Sequence, residues 1–173
     1  MALHHHSENP WRVRVDDEDG TPCGAGVLLD DRHVLTCAHV VRSAGAQPRG
    51  TAACVRIRSV ACGPEWTRTA RVVPGSWVHE HGTRRGDVAL LALDEPVDCG
   101  TRTTLWKVPL SGGRVRVYGF PQAEPYGIGT DAELAGSGWR QSERVLLRQI
   151  RAGDPWIQPG YSGAGVVALD GDF

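Results

Sequence analysis

The chain has 173 residues, 40% of them apolar, which is enough to bury a sizeable core but short for two large domains. Nineteen Lys and Arg against 20 Asp and Glu leave a net charge of −1, so bulk electrostatics argue against a nucleic-acid or membrane-surface role. No run of about 18 apolar residues occurs, and no transmembrane helix is written in the sequence.

Twenty-two glycines and 11 prolines, spaced between short alternating runs, predict an all-β chain of many strands joined by turns. Met1 to Asn9 is polar and lacks the apolar core of a signal peptide, and His4-His5-His6 is too short to argue from. Cys23, Cys37, Cys54, Cys62 and Cys99 are an odd count without a paired spacing framework, which suits a reducing compartment; the expected location is the cytoplasm. Trp11-Arg12-Val13-Arg14-Val15 alternates as a strand, and Asp16-Asp17-Glu18-Asp19-Gly20 closes it as a solvated acidic turn, without the ligand spacing of a calcium loop.

Cys23 to Leu29 is an apolar strand, Asp30-Asp31 its turn and His33 to Thr36 the antiparallel return, with His39 leaving the strand end toward a cleft. Val55 to Val60 and Thr67 to Val73 alternate with arginines on one face, the solvated outside of a barrel rather than a phosphate grip. His79 and His81 straddle Glu80 but lack a third ligand at metal-site spacing, so they read as loop histidines. Asp87 opens the most apolar strand of the chain, which predicts a buried carboxylate. Such a charge is costly unless paired, and the His39 imidazole is the partner that would justify it.

Beyond Asp94-Glu95-Pro96, the stretch through Thr101, Thr103 and Pro109 has no periodicity. Gly112-Gly113 opens a second half with the alternating run Arg114 to Gly119, followed by Phe120-Pro121. Gly127 to Asp131, Gly136-Ser137-Gly138 and Gly153-Asp154 read as turns, Val145 to Ile150 and Val166 to Leu169 as strands, and Asp170-Gly171 as a hairpin turn.

In Pro159-Gly160-Tyr161-Ser162-Gly163-Ala164-Gly165 one serine sits among glycines. A hydroxyl nucleophile needs an exposed tight turn, a neighbouring base and backbone N–H groups aimed at the oxyanion, and Gly160 allows that turn. Together with Thr36-Cys37-Ala38-His39 and Asp87-Val88-Ala89-Leu90-Leu91-Ala92-Leu93, this stretch resembles the trypsin-like, chymotrypsin-fold serine peptidases of bacterial cytoplasmic type, in the order His39, Asp87, Ser162. The resemblance runs from about Pro22 to Leu169.

It implies two antiparallel β-barrels: a tail at 1–10, a first barrel at 11–95 carrying His39 and Asp87, a linker at 96–110, and an incomplete second barrel at 111–173 carrying Ser162. It implies a serine endopeptidase acting on a protein or peptide, with Gly160 and Ser162 forming the oxyanion hole and Asp154, Trp156 and Ile157 at the specificity pocket. Neither metal nor organic cofactor is needed. Trp156 is apolar and Asp154 acidic, so they predict opposite preferences. The alternatives are an inactive protease-like domain used for binding and, from the same triad, an esterase; the latter lacks the strand–nucleophile–helix context of α/β-hydrolases.

Two departures stand out. Val40 occupies a position where many secreted members carry a bridged cysteine, which leaves Cys23 without its usual partner and a Cys23–Cys37 bridge open. Tyr161 stands where secreted zymogens carry an aspartate that pairs with a newly cut amine, so cleavage to a new N-terminus is not the expected switch. After Val166 to Leu169 the family continues with strands that close the barrel. The expectation is a piece of a longer parent chain with further domains, an open edge favouring self-association, and little peptidase activity alone.

Overall fold

Alternation in the first strand sets the architecture: Val13 and Val15 point into a core while Arg14 and Asp16 point away from it. The structure, a computed structural model, describes residues 10–46, 54–60, 65–79, 86–98, 103–106, 111–137 and 145–169. In chain order its elements are β1 (Arg12–Asp16), β2 (Pro22–Leu28), β3 (His33–Thr36), α1 (Ala38–Ser43), β4 (Val55–Ser59), β5 (Thr67–Val78), β6 (Val88–Leu93), β7 (Ser111–Gly119), β8 (Ile128–Ser137), β9 (Val145–Gln149) and β10 (Val166–Ala168). The all-β reading of the sequence holds apart from the one short helix among the described residues.

Strands β1 to β6 form a closed antiparallel barrel in the order β1-β2-β3-β6-β5-β4, with β4 pairing back onto β1. Val13, Val15, Val34, Val55, Ile57 and Leu91 fill it, each such side chain contributing about 1.5–3 kcal/mol relative to exposure. The second half is a four-stranded antiparallel sheet, β10-β7-β8-β9, over a smaller core of Val115, Ala132 and Leu134. Among the described residues this sheet is open, with β9 and β10 at its edges and Leu146 and Val166 exposed there. Asp170 to Phe173, where a hairpin return is expected, lie outside the described residues. So do His4 to His6, Glu80, His81, Cys62 and Cys99.

Three elements differ from the sequence reading. His39 does not leave a bare strand end: it lies in α1, a short helix that forms because Val40 and Val41 are fully buried in the barrel core, against their modest helix propensity. Strand β5 does not stop before Pro74. It carries on through a bulge in which the Ser76 hydroxyl lies 2.7 Å from the Val73 carbonyl and 3.0 Å from that of Leu90. Finally, Ile128 to Asp131 and Gly136-Ser137 belong to β8 rather than to turns; Asp131 accepts two hydrogen bonds from Arg116 on the neighbouring strand, at 2.6 and 3.0 Å. The acidic turn is as expected: Asp17 Oδ1 accepts the Asp19 and Thr21 N–H groups at 3.0 and 2.8 Å.

The two halves are tied through β1. The Arg14 guanidinium donates twice to Asp16, at 2.6 and 2.7 Å, and once to the Pro125 carbonyl in the β7–β8 loop, at 2.7 Å. Both residues are buried, at 4% and 1% exposure. Arg12 adds a second tie, its guanidinium carbon 3.9 Å from the centroid of the Tyr118 ring on β7.

A buried pair like Arg14–Asp16 gives back much of its attraction as desolvation, whereas removing one partner strands the other. Arg14→Ala is therefore expected to lower stability by about 3–5 kcal/mol, and the double change Arg14→Met with Asp16→Leu to recover most of that loss. Urea denaturation at unchanged slope measures both. An Arg14→Ala loss below about 1 kcal/mol would show that the pair does not hold the halves together.

Candidate active site

The register of β3 on β6 pairs Thr36 with Ala89 and His33 with Ala92, so the chain ends just beyond Thr36 and just before Val88 meet at one rim of the barrel. His39 and Asp87 come from those two ends. Val40 and Val41 anchor α1 inward, and the His39 side chain stays 39% exposed on the other side of the helix. Asp87 follows Gly86, both with positive φ (65° and 86°), a double left-handed turn that aims the carboxylate back at α1. Aspartate is among the few side chains that tolerate this conformation.

The Asp87 carboxylate spends both oxygens on one residue. Oδ2 lies 2.6 Å from His39 Nδ1, and Oδ1 accepts the His39 backbone N–H at 2.9 Å. Burial works to raise the Asp87 pKa, but the hydrogen bonds from His39, its charge and a contact from the Cys37 thiol together outweigh it and hold the carboxyl below the ordinary carboxylate range. An ionised carboxylate only accepts, so Nδ1 carries the proton and Nε2 is left with a lone pair. The carboxylate is only partly buried, at 21% side-chain exposure, rather than enclosed as the apolar strand suggests, because it stands at the barrel rim.

Cys37, the residue capping α1, completes the cluster. Its sulfur lies beside the Gly163 N–H and Asp87; burial and the carboxylate's charge push the thiol up to about 11. Cys23, Cys37 and Cys54 are free, so the open question of a Cys23–Cys37 bridge is answered in the negative. Ligand atoms of Cys37, His39 and Asp87 lie within 4.8 Å of one another, the one metal-type grouping among the described residues. Two tetrahedral zinc ligands stand roughly 3.3 Å apart, given bonds of about 2.0–2.1 Å. The 2.6 Å Nδ1–Oδ2 contact is too short for an ion to take both atoms without breaking it.

The serine turn is docked onto the first barrel. The Ser162 carbonyl accepts the Ala25 N–H at 2.8 Å, and a Cβ on Gly24 would stand 2.8 Å from that same carbonyl. Gly163, at φ +84°, lies so close that a Cβ would come within 2.1 Å of the Ala25 carbonyl. Ser162 is thus one contact removed from the His39–Asp87 pair, through Gly163 and Cys37. Its hydroxyl makes no hydrogen bond to His39 or to any other of the described residues. Such contacts are often long in ligand-free sites and tighten with substrate.

Gly160 has φ +105°, and its carbonyl accepts the Phe120 N–H at 3.0 Å. The neighbouring amides are taken, Tyr161 by the Gln158 carbonyl and Ala164 by that of Tyr161. Among the described residues the N–H groups of Gly160 and Ser162 donate to nothing. Of the three residues expected at a specificity pocket, Trp156 packs half-buried against Val115, Ala132 and Leu134, and Ile157 is half-buried beside it. Asp154 is held by its backbone, its carbonyl accepting the Gln149 side-chain amide at 2.9 Å.

Two participants escape sequence reading. Cys37 shows in the motif only as a possible disulfide partner, and its contact with Asp87 arises from the β3–β6 register. Gly24 has a weak signal, its place in a glycine-rich strand.

Because its folded pKa is depressed, Asp87 contributes stability that is complete above its ordinary value of 3.8 and is lost as the pH falls through the lower folded value. The stability difference between the wild type and Asp87→Asn, which tolerates the same backbone angle, should shrink as the pH falls below about 4. Denaturation in urea at stepped pH measures it; a difference that stays unchanged from about pH 5 to about 2 would contradict the assignment.

No curated protein matches the chain. Among solved structures it is similar to the apo protease domain of MamO from Magnetospirillum magneticum, with 15% identity, 95% of this chain and 82% of that one covered, and a TM-score of 0.62. It is also similar to kallikrein-related peptidase 10 in complex with Zn2+ (22% identity, 97% and 80% covered, TM-score 0.64). A third is neuropsin, a serine protease expressed in the limbic system of mouse brain (16%, 97% and 80%, TM-score 0.67). At these identities the likeness speaks for the fold. The trypsin-like peptidase domain matches residues 24–173, nearly the whole length over which the barrel, the second sheet and the docked serine turn extend, and the chain belongs to that family.

Proposed function

We propose that this domain is a serine endopeptidase that cleaves peptide bonds through His39, Asp87 and Ser162. The observation that carries the reading is the two-point grip of Asp87 on His39, at 2.6 and 2.9 Å, on the barrel rim where the serine turn is docked. Asp87 fixes the imidazole with Nδ1 protonated and stabilises the imidazolium when it forms. His39 Nε2 takes the proton of the Ser162 hydroxyl as Oγ attacks the scissile carbonyl, then returns it to the leaving amine. The N–H groups of Gly160 and Ser162, which have no acceptor among the described residues, are the donors for the oxyanion. Water then repeats the sequence on the acyl-enzyme, with His39 again as base.

The substrate is a protein or peptide chain lying between the barrel and the second sheet. Trp156, fixed on the second core, supports an apolar wall to the pocket in preference to an acidic floor from Asp154. Among the described residues no helix is long and apolar enough to cross a membrane.

The rival is a protease-like domain that only binds. A fluorophosphonate separates the two, because covalent capture needs an activated hydroxyl and a formed oxyanion hole. Labelling at Ser162, absent in Ser162→Ala, together with a loss of peptide cleavage on the order of 10³-fold or more in that variant, is the expected result. A wild type that stays unlabelled, or a Ser162→Ala protein with comparable turnover, would leave the binding module as the better description.

A further inference from the structure

The residue between the Gly160 and Ser162 N–H groups is Tyr161, and it is the most deeply anchored side chain of the serine turn. It is 4% exposed and leaves the turn for the second sheet, where its hydroxyl donates to the Ile128 carbonyl at 3.2 Å and lies 2.7 Å from Thr130 Oγ1. Thr130 is fully buried on β8, opposite Val117 of β7. With the tyrosine proton given to Ile128, the threonine hydroxyl is the donor to Tyr161, and both hydroxyls are satisfied. The ring lies flat against Gly119: a Cβ there would stand 2.3 Å from Tyr161 Cγ, so the end of β7 is kept bare to receive it. One residue on, Phe120 N–H binds the Gly160 carbonyl at 3.0 Å.

The backbone consequence follows from connectivity. The Gly160 carbonyl belongs to the peptide plane on the N-terminal side of the Tyr161 Cα, and the Ser162 N–H to the plane on the C-terminal side. Holding the ring at its far end and the Gly160 carbonyl on Phe120 fixes the angles of Tyr161, and with them the direction of the Ser162 N–H. We propose that Tyr161 is a positioning residue that holds the oxyanion-binding turn in its working conformation through Thr130, Ile128 and Gly119. The anchor is made of neutral hydroxyls already present in the fold. It therefore operates without a newly generated chain terminus.

This inference rests on reading Ser162 as the nucleophile, and its test separates the two. Tyr161→Phe keeps the ring and removes only the hydroxyl; Thr130→Val removes the partner at similar volume. In each, kcat on a peptide substrate is expected to fall by about 10- to 100-fold with KM within about twofold, the signature of a misplaced transition-state donor. The double variant should lose no more than the worse single one, because the two hydroxyls act as one unit. Amide hydrogen exchange resolved by residue gives a readout that needs no catalysis: exchange at Phe120 N–H should accelerate in both variants, with Val13 and Val15 of the first barrel unchanged. If the wild type neither cleaves peptides nor takes a fluorophosphonate, the peptidase reading fails while the exchange result still decides the anchor. Unchanged Phe120 exchange together with wild-type kcat in Tyr161→Phe would overturn the proposal.

Discussion

A carboxylate that meets one histidine with both its oxygens organises this molecule. Asp87 binds His39 at both its ring and its backbone N–H, and nearly every local feature of the first half serves that contact. The β3–β6 register brings the two chain segments to the same rim. The burial of Val40 and Val41 turns the segment after β3 into a helix, which points the His39 ring outward while presenting its N–H to the acid. Two consecutive left-handed residues, Gly86 and Asp87, bring the carboxylate around to meet it. Strain of this kind persists where the surroundings over-determine it, and here the surroundings are the barrel itself.

The second half has less with which to hold itself. Among the described residues its packed cluster is Val115, Ala132 and Leu134 with a few partly buried side chains, against sixteen buried residues in the cluster of the first barrel. Its placement therefore depends on polar and aromatic ties to the first half: Arg14 to Pro125, Arg12 over Tyr118, Ser162 and Gly163 against Ala25. Each of these starts on β1 or β2, so the serine turn is placed by the same barrel that carries His39 and Asp87. The proposed mechanism needs its donors held to within a fraction of an ångström.

Strands β1 to β4 and β6 were legible because each has one face in a core, and one-sided burial writes an alternating or apolar pattern. Helix α1 was not, since its adjacent valines carry the signal of a strand and only their burial makes a helix of them. The second part of β5 hides behind Pro74-Gly75, ordinary marks of a turn, which here sit at a bulge. Asp131 reads as a turn residue until Arg116 is known to lie across from it.

At the site, His39, Asp87 and Ser162 are visible because each sits in a short motif with its own local logic. Cys37 beside Asp87 and Thr130 beneath Tyr161 are contacts between distant parts of the chain, and nothing in either neighbourhood announces them. The reading that Tyr161 cannot take part in a buried ion pair agrees with its observed hydroxyl partners, although the sequence offers no means of naming them.

The central claim is that Asp87 fixes the His39 tautomer, leaving Nε2 as the free base. Nitrogen NMR of the His39 ring, at a pH where the ring is neutral, reads this directly. The account predicts a protonated Nδ1 coupled to a strongly deshielded proton and an unprotonated Nε2, with that pattern lost in Asp87→Asn. A ring protonated on Nε2 in the wild type would contradict it, since the nitrogen that the proposed mechanism requires to accept the serine proton would already carry one.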